Sequence, residues 1–137
     1  MKSIPFMSFI AATFLLFNVV ACTKTAVADD RTKFYGTYKI TGSCTGNNTV
    51  GGTVTVIESS TAKEVLMSYS PTGASIKATI SGDVIVINSG QTYITGGLVV
   101  TFTGSGRSNS GSSVILNSTY TSPGYSTISC TETWVKQ

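Results

Sequence analysis

Apolar and polar residues alternate with a period of two, not 3.6, from residue 34 onward. Ile76, Ala78 and Ile80 alternate with polar neighbours, and the same alternation runs through 98–103 and 114–120. Val and Thr, which suit a pleated surface, are abundant in these runs. A period of two is typical of β-strands that bury one face. The pattern therefore predicts an all-β domain.

Clusters of Gly, Asn, Ser and Pro separate the alternating runs. The predicted strands are 34–44, 50–58, 64–69, 74–81, 83–88, 91–95, 98–104, 113–121 and 126–135. The start of 60–68 resembles the beginning of a helix, but Val65, Leu66 and Met67 before a Ser/Pro turn favour a short strand. Short connections favour antiparallel hairpins between neighbours. We expect an antiparallel up-and-down meander that closes into a small barrel, since closure removes exposed edges. A two-sheet β-sandwich is the alternative.

The N-terminus has the features of an export signal. Lys2 precedes a predominantly apolar stretch, 6–21, which is shorter than the ~20 residues that span hydrocarbon. Val19-Val20-Ala21-Cys22 closes it in the manner of a bacterial lipobox. This pattern predicts a signal peptide at 1–21, lipidation of Cys22, a polar tether at 22–32 and a β domain at 33–137. An ordinary cleavage site at 26–28, with plain secretion, is the alternative.

The remaining two cysteines predict a disulfide bond. Lipid on one of three cysteines leaves Cys44 and Cys130, and an exported protein meets an oxidising environment. Both cysteines share a strand face with apolar residues. We expect a bond between the first and last strands, with α-carbons ~4.4–6.8 Å apart. A redox-active pair is disfavoured because no Cys-x-x-Cys spacing occurs.

Charge and side-chain chemistry exclude several functions. Charged residues are 11% of the chain and are scattered singly, so no basic stripe suggests nucleic acid. The sequence has no His, the commonest general base and a common zinc ligand. We expect no enzymatic activity, no metal site and no cofactor.

Two carboxylates require interpretation. Asp83 follows Gly82 in a predicted hairpin turn, where local hydrogen bonding explains it. Glu132 falls among the apolar-face residues of the last strand. Either a bulge displaces it from that face, or it is a carboxylate that faces a ligand.

The Gly/Ser-rich stretch 104–111 is interpreted as a flexible hairpin loop. It lacks the Gly-Lys-Ser/Thr ending of a phosphate-binding loop. Arg107 at its tip is either solvated surface or a contact for a protein partner.

Among the aromatic residues, Phe34, Tyr38, Phe102 and Trp134 fall on apolar faces. Tyr35, Tyr69 and Tyr93 are assigned to the core or to isolated surface positions, with a sugar-stacking pair as the alternative.

Several short segments of this sequence, in the order in which they occur, resemble those of the small lipocalin-like lipoproteins of Bacteroidota. The resemblance covers about 34–136 and depends on the lipobox, the opening 34–38, Cys44 ending the first strand, and the segments 53–57, 76–87, 99–106 and 130–134. Gly36-x-Tyr38 is similar to the Gly-x-Trp opening of lipocalins. The resemblance implies an up-and-down barrel whose open mouth holds a lipophilic molecule. Tyr38, Phe102 and Trp134 are the expected ligand-binding residues.

The sequence is compatible with two functions. The first is a non-enzymatic outer-membrane lipoprotein, facing the periplasm or the cell surface, whose barrel binds a small lipophilic ligand. The second is a protein-interaction module, an inhibitor or adhesin, that uses the 104–113 region. A closed apolar cavity of ~300 Å³ or more favours the first.

Overall fold

The computed structural model describes residues 29–137, which contain eight β-strands and two 3₁₀ helices. In chain order the helices are Thr32–Phe34 and Thr45–Asn47, and the strands are β1 Gly36–Cys44, β2 Thr49–Glu58, β3 Glu64–Ser70, β4 Ser75–Ser81, β5 Val84–Thr95, β6 Leu98–Asn109, β7 Ser113–Thr121 and β8 Ile128–Lys136. The signal at 1–21, Cys22 and the start of the tether lie outside the described residues.

Every strand pairs antiparallel with the next, and β1 pairs with β8, so the sheet closes into a barrel. The prediction of an all-β meander that closes on itself is confirmed. The two-sheet sandwich is wrong, because the last strand bonds to the first instead of ending a separate sheet.

The alternation of the sequence becomes the inside and outside of this barrel. On β4, Ile76, Ala78 and Ile80 are buried while Lys77 between them is exposed. The same rule places Val54, Val56, Met67, Ile85, Leu116 and other side chains in one continuous interior cluster. Burying these apolar side chains is the main source of stability for such a fold.

Strand β5 joins two segments that were predicted as separate strands, 83–88 and 91–95. The pairing register with β6 shifts between Ile87 and Gln91. On the other side of β5, backbone pairing with β4 ends at Ala78 and Ile87, and the side chain of Gln91 continues the contact with β4. Its Nε2 donates to the carbonyl oxygen of Lys77, and its Oε1 accepts from the backbone nitrogen of Lys77, both at 2.6 Å. The irregularity thus interrupts the pairing without ending the strand.

The predicted loop at 104–111 is wrong, because β6 continues to Asn109 and the turn is correspondingly short. Gly104 and Gly106 have the parity of inward-facing positions. A Cβ atom on them would lie 2.9 Å from the carbonyl oxygen of Asn117 and 2.5 Å from that of Ile115. These glycines therefore allow β6 and β7 to approach closely, a role that glycine commonly plays in a strand.

The predicted disulfide between Cys44 and Cys130 is confirmed and links β1 to β8. The α-carbons are 4.0 Å apart, below the expected range. The two residues are direct partners in the strand register, and direct antiparallel partners lie as close as ~4.5 Å. The bond therefore crosses the seam where the barrel closes.

The two ends of the barrel differ. The closed end carries the chain entry and the turns at 59–63, 82–83 and 110–112, and Phe34 there is 1% exposed within the core. The phenol oxygen of Tyr38 donates to the carbonyl oxygen of Phe34 at 3.0 Å. The open end carries the connections at 45–48, 71–74, 96–97 and 122–127.

Arg31 holds the described part of the tether against the closed end. Its Nη1 donates to the carbonyl oxygens of Ser59, Thr61 and Glu64, each at 3.2 Å. Its Nη2 pairs with Asp29 at 2.6 Å. Residues 29–32 therefore lie on the barrel wall.

Candidate ligand-binding site at the open end

A cavity of about 90 Å³ lies at the open end of the barrel. Aliphatic and aromatic side chains from seven strands, β1 to β7, together with the turn between β3 and β4, form its wall. The lining residues are Ile40, Val50, Gly51, Tyr69, Ser70, Pro71, Thr72, Ile76, Tyr93, Phe102 and Tyr120. Four of the eleven are aromatic, so much of the wall consists of ring surface.

Tyr69 places an unsatisfied hydroxyl in this region. Its phenol oxygen is buried and has no hydrogen-bond partner among the described residues, as is also true of Tyr35 Oη and Ser122 Oγ. The ring makes edge contacts with Phe102 and Trp134, with centroids 5.7 and 6.1 Å away. Burial raises the pKa of Tyr69, and the nearby charge of Glu132 raises it further. The hydroxyl therefore stays protonated and can donate.

Phe102, which Tyr69 contacts, and Tyr120 form the adjoining part of the wall. Their rings are stacked, with centroids 4.8 Å apart and planes 22° from parallel. The phenol oxygen of Tyr120 donates to Glu132 Oε1 at 2.6 Å. Burial raises the pKa of Tyr120, with further contributions from the charge of Glu132 and from this hydrogen bond. Tyr120 thus joins the cavity wall to a buried acid.

Glu132 is fully buried, with 0% of its surface exposed. Besides Tyr120, Ser118 Oγ donates to Oε1, and Trp134 Nε1 donates to Oε2 at 2.9 Å. An ionised carboxylate only accepts hydrogen bonds, so three donors match that form. These bonds satisfy a side chain that would be costly to bury alone.

The interpretation of Glu132 as displaced by a bulge is wrong. Its register runs without interruption against Gly42 on one side and Leu116 on the other. Glu132 is therefore an inward-facing residue of a regular strand. It is absent from the cavity lining and is joined to that lining by its hydrogen bond with Tyr120.

The predicted site residues occupy different places. Phe102 lines the cavity, whereas Tyr38 and Trp134 are buried outside its lining. Arg107 is exposed, but it lies within β6, opposite Val84 and Ile115, and is not at a loop tip. The ligand-binding and partner-contact roles of these residues remain predictions, as does the lipidation of Cys22.

Sequence reasoning did not place Tyr69, Tyr93 and Tyr120 at a cavity. Strand parity alone could have placed Tyr69 inside, because it follows Val65 and Met67 at steps of two. It could not have shown that these tyrosines meet around one cavity, since they lie on three separate strands.

The described residues hold neither a cluster of metal ligands nor a membrane-spanning helix. Residues 29–137 contain no group of three or more His, Cys, Asp or Glu side chains placed to hold a metal ion. Within the same range, no helix has the length and apolar character required to cross a membrane.

Comparison with solved structures supports the fold. A redesigned β-barrel matches with a TM-score of 0.58 at 13% identity, over 80% of this chain and 96% of that one. Another redesigned β-barrel, which is bound to DFHBI, matches with a TM-score of 0.54 at 15% identity, over 80% and 100%. A candidate outer membrane protein of Bacteroides fragilis matches with a TM-score of 0.51 at 16% identity, over 80% and 53%. At these identities the likeness shows the barrel fold alone.

No protein-family model and no curated protein sequence matches the chain.

Proposed function

We propose that this chain is a non-enzymatic, envelope-tethered lipoprotein with a lipocalin-like barrel that binds a small lipophilic ligand at its open end. The observation that carries the proposal is the buried hydroxyl of Tyr69, which has no partner among the described residues beside an aromatic-lined cavity. A buried donor left unsatisfied costs about 1–3 kcal/mol. A ligand oxygen that accepts from Tyr69 would remove this cost.

The size of the cavity restricts the ligand. Sites for drug-sized molecules usually measure ~300–1,000 Å³, and this one measures about 90 Å³. The barrel interior beneath it is filled by Ile40, Ile76 and the core. The proposed ligand therefore inserts one compact group into the barrel, while the rest of the molecule lies at the mouth.

The solved structures add support of a general kind. One of the similar redesigned barrels is bound to DFHBI, so a barrel of this shape is compatible with a ligand. The candidate outer membrane protein of Bacteroides fragilis is consistent with an envelope location.

The proposed tether would orient the site relative to the membrane. Asp29 lies at the closed end of the barrel, opposite the cavity, and Arg31 holds it there. The seven-residue separation between Cys22 and Asp29 spans at most ~25 Å. Lipid on Cys22 would then place the closed end towards the membrane and the mouth away from it.

The side-chain inventory supports a binding role over catalysis. The sequence has no His, and the buried carboxylate of Glu132 is already engaged by three protein donors. A general acid or base must reach the proton that it transfers. Glu132 is buried behind Tyr120 and does not reach the cavity.

Ligand titration tests the proposal. Trp134 is the sole tryptophan of the chain and contacts Tyr69, so we expect its fluorescence to change when a hydrophobic dye or short-chain lipid binds with micromolar affinity. Phe102→Ala should weaken binding by removing ring surface from the wall. Phe102→Asp should abolish binding, with a loss of stability because the charge is buried without a partner. No binding by the folded wild type across lipids, retinoids and haem would refute the proposal.

A protein-interaction role is the second candidate. Ile94 and Val99 are direct partners on the outer face of the β5–β6 hairpin, and they are 71% and 46% exposed. Exposed apolar pairs of this kind can mark an interface. If Ile94→Ser with Val99→Ser abolishes cross-linking to an envelope protein, and the folded wild type binds no dye or lipid, this role replaces ligand binding.

A further inference from the structure

The barrel interior carries one buried charge without a counter-ion. The buried polar or charged side chains of residues 29–137 are Ser108, Ser118 and Glu132. None of the ion pairs within that range includes Glu132. Its three donors are an alcohol, a phenol and an indole, which are all neutral. Buried charges in proteins are usually paired with an opposite charge.

Two tyrosines of the cavity wall, Tyr120 and Tyr69, connect this carboxylate to the cavity. Tyr120 touches Glu132 with its hydroxyl and lines the cavity with its ring. Tyr69 lines the cavity and contacts Trp134, whose indole nitrogen donates to the other oxygen of Glu132. A group in the cavity would therefore lie about one phenol ring away from the negative charge.

The rings themselves favour a cation. The faces of Tyr and Phe carry partial negative charge and attract a cation placed over them within ~6 Å. Tyr69, Tyr93, Phe102 and Tyr120 surround the same small space. Aromatic walls of this kind suit methylated ammonium groups, which present an apolar surface and need no hydrogen-bond acceptors.

We infer that the cavity binds an N-methylated ammonium head group that carries an oxygen close to the charge, as choline does. The inference rests on the proposed function and names the class of its ligand. The ammonium faces the aromatic wall and offsets the charge of Glu132, and the oxygen accepts from Tyr69. An anionic head group is excluded, because Glu132 would repel it.

Choline and its uncharged carbon isostere, 3,3-dimethyl-1-butanol, test the inference on the full chain. The two molecules share a shape and a hydroxyl and differ in the charge. We expect choline to bind at least about tenfold more tightly by calorimetry and by Trp134 fluorescence. Equal or tighter binding of the isostere would refute the ammonium inference and leave the proposed function standing. Binding of neither, together with failure of the dye panel, would refute both.

Variants then assign the effect to the charge. Glu132→Gln should reduce choline affinity about tenfold and leave the isostere unchanged. The matched control is Glu58→Gln at an exposed carboxylate, which should change neither affinity. An equal loss for both probes in Glu132→Gln would contradict the inference.

A second variant keeps the test decisive if Glu132→Gln does not fold. Phe102→Leu retains an apolar wall without a ring, and it should weaken choline about fivefold more than the isostere. If both probes weaken equally, no cation–ring attraction operates and the inference fails.

Discussion

The hydroxyl of Tyr120 on β7 donates to Glu132 on β8 across a distance of 2.6 Å. This single bond connects the wall of the open-end cavity to the acid buried in the barrel. It also fixes the Tyr120 ring where it stacks on Phe102. The cavity wall and the satisfaction of the buried acid therefore depend on the same contact.

Replacing Tyr120 with Phe should lower the free energy of unfolding by about 1.5–3 kcal/mol, because a hydrogen bond to a charged group is lost. Urea denaturation followed by Trp134 fluorescence measures the change. Tyr125→Phe is the matched control, since Tyr125 is 63% exposed and should change stability little. A fully stable Tyr120→Phe variant would show that this bond contributes nothing net.

Alkaline pH should destabilise the protein. Burial raises the pKa of Tyr69 and of Tyr120 in the folded state, whereas tyrosine in the unfolded chain ionises near pH 10. Above that pH the unfolded state binds fewer protons than the folded state, so the free energy of unfolding falls as pH rises. Below about pH 9 these residues should contribute no pH dependence.

Denaturation midpoints between pH 8 and 11.5 measure this effect. Tyr120→Phe should have a shallower alkaline slope than the wild type, with part of the slope retained because burial also raises the pKa of Tyr35, Tyr38 and Tyr93. Identical slopes in the two proteins would contradict the assignment.

Removing the disulfide with Cys44→Ser and Cys130→Ser together should lower stability by about 4–5 kcal/mol in the chain-entropy model. The bond closes a loop with a sequence separation of 86. Thiol titration of the unfolded, unreduced wild type should find neither cysteine free. Two reactive thiols there would show that core packing holds the barrel seam without a covalent link.

Replacing Cys22 with Ser should release the protein from membranes or stall its processing. The expectation depends on the lipobox at 19–22, which predicts acylation of Cys22. Stable anchoring requires more than one acyl chain, and the variant would carry none at this position. Metabolic labelling with palmitate measures it. Label retained by the Cys22→Ser variant would show that the lipid is attached elsewhere, and an unlabelled, secreted wild type would favour cleavage at 26–28.

The period-two pattern was enough to predict the all-β class and the inward faces, and together with the cysteine count and the predicted export it also predicted the disulfide. Alternation along a strand is a local property, so the parity of Ile76, Ala78 and Ile80, and of Cys44 and Cys130, can be worked out from neighbouring residues alone. Strand ends were predicted less well. Gly104 and Gly106 suggested a loop, although the close approach of β7 requires glycine at these positions within β6.

Tertiary structure alone decided the environment of Glu132 and the existence of the cavity. Parity placed the acid on the apolar face, but two of its three donors come from β7, so only the β7–β8 pairing shows that it is satisfied there. The cavity likewise requires Tyr69, Tyr93 and Tyr120 from three strands to meet at one end of the barrel. Such convergence depends on closure and register, which relate residues far apart in the chain, whereas the alternating pattern constrains only neighbouring positions.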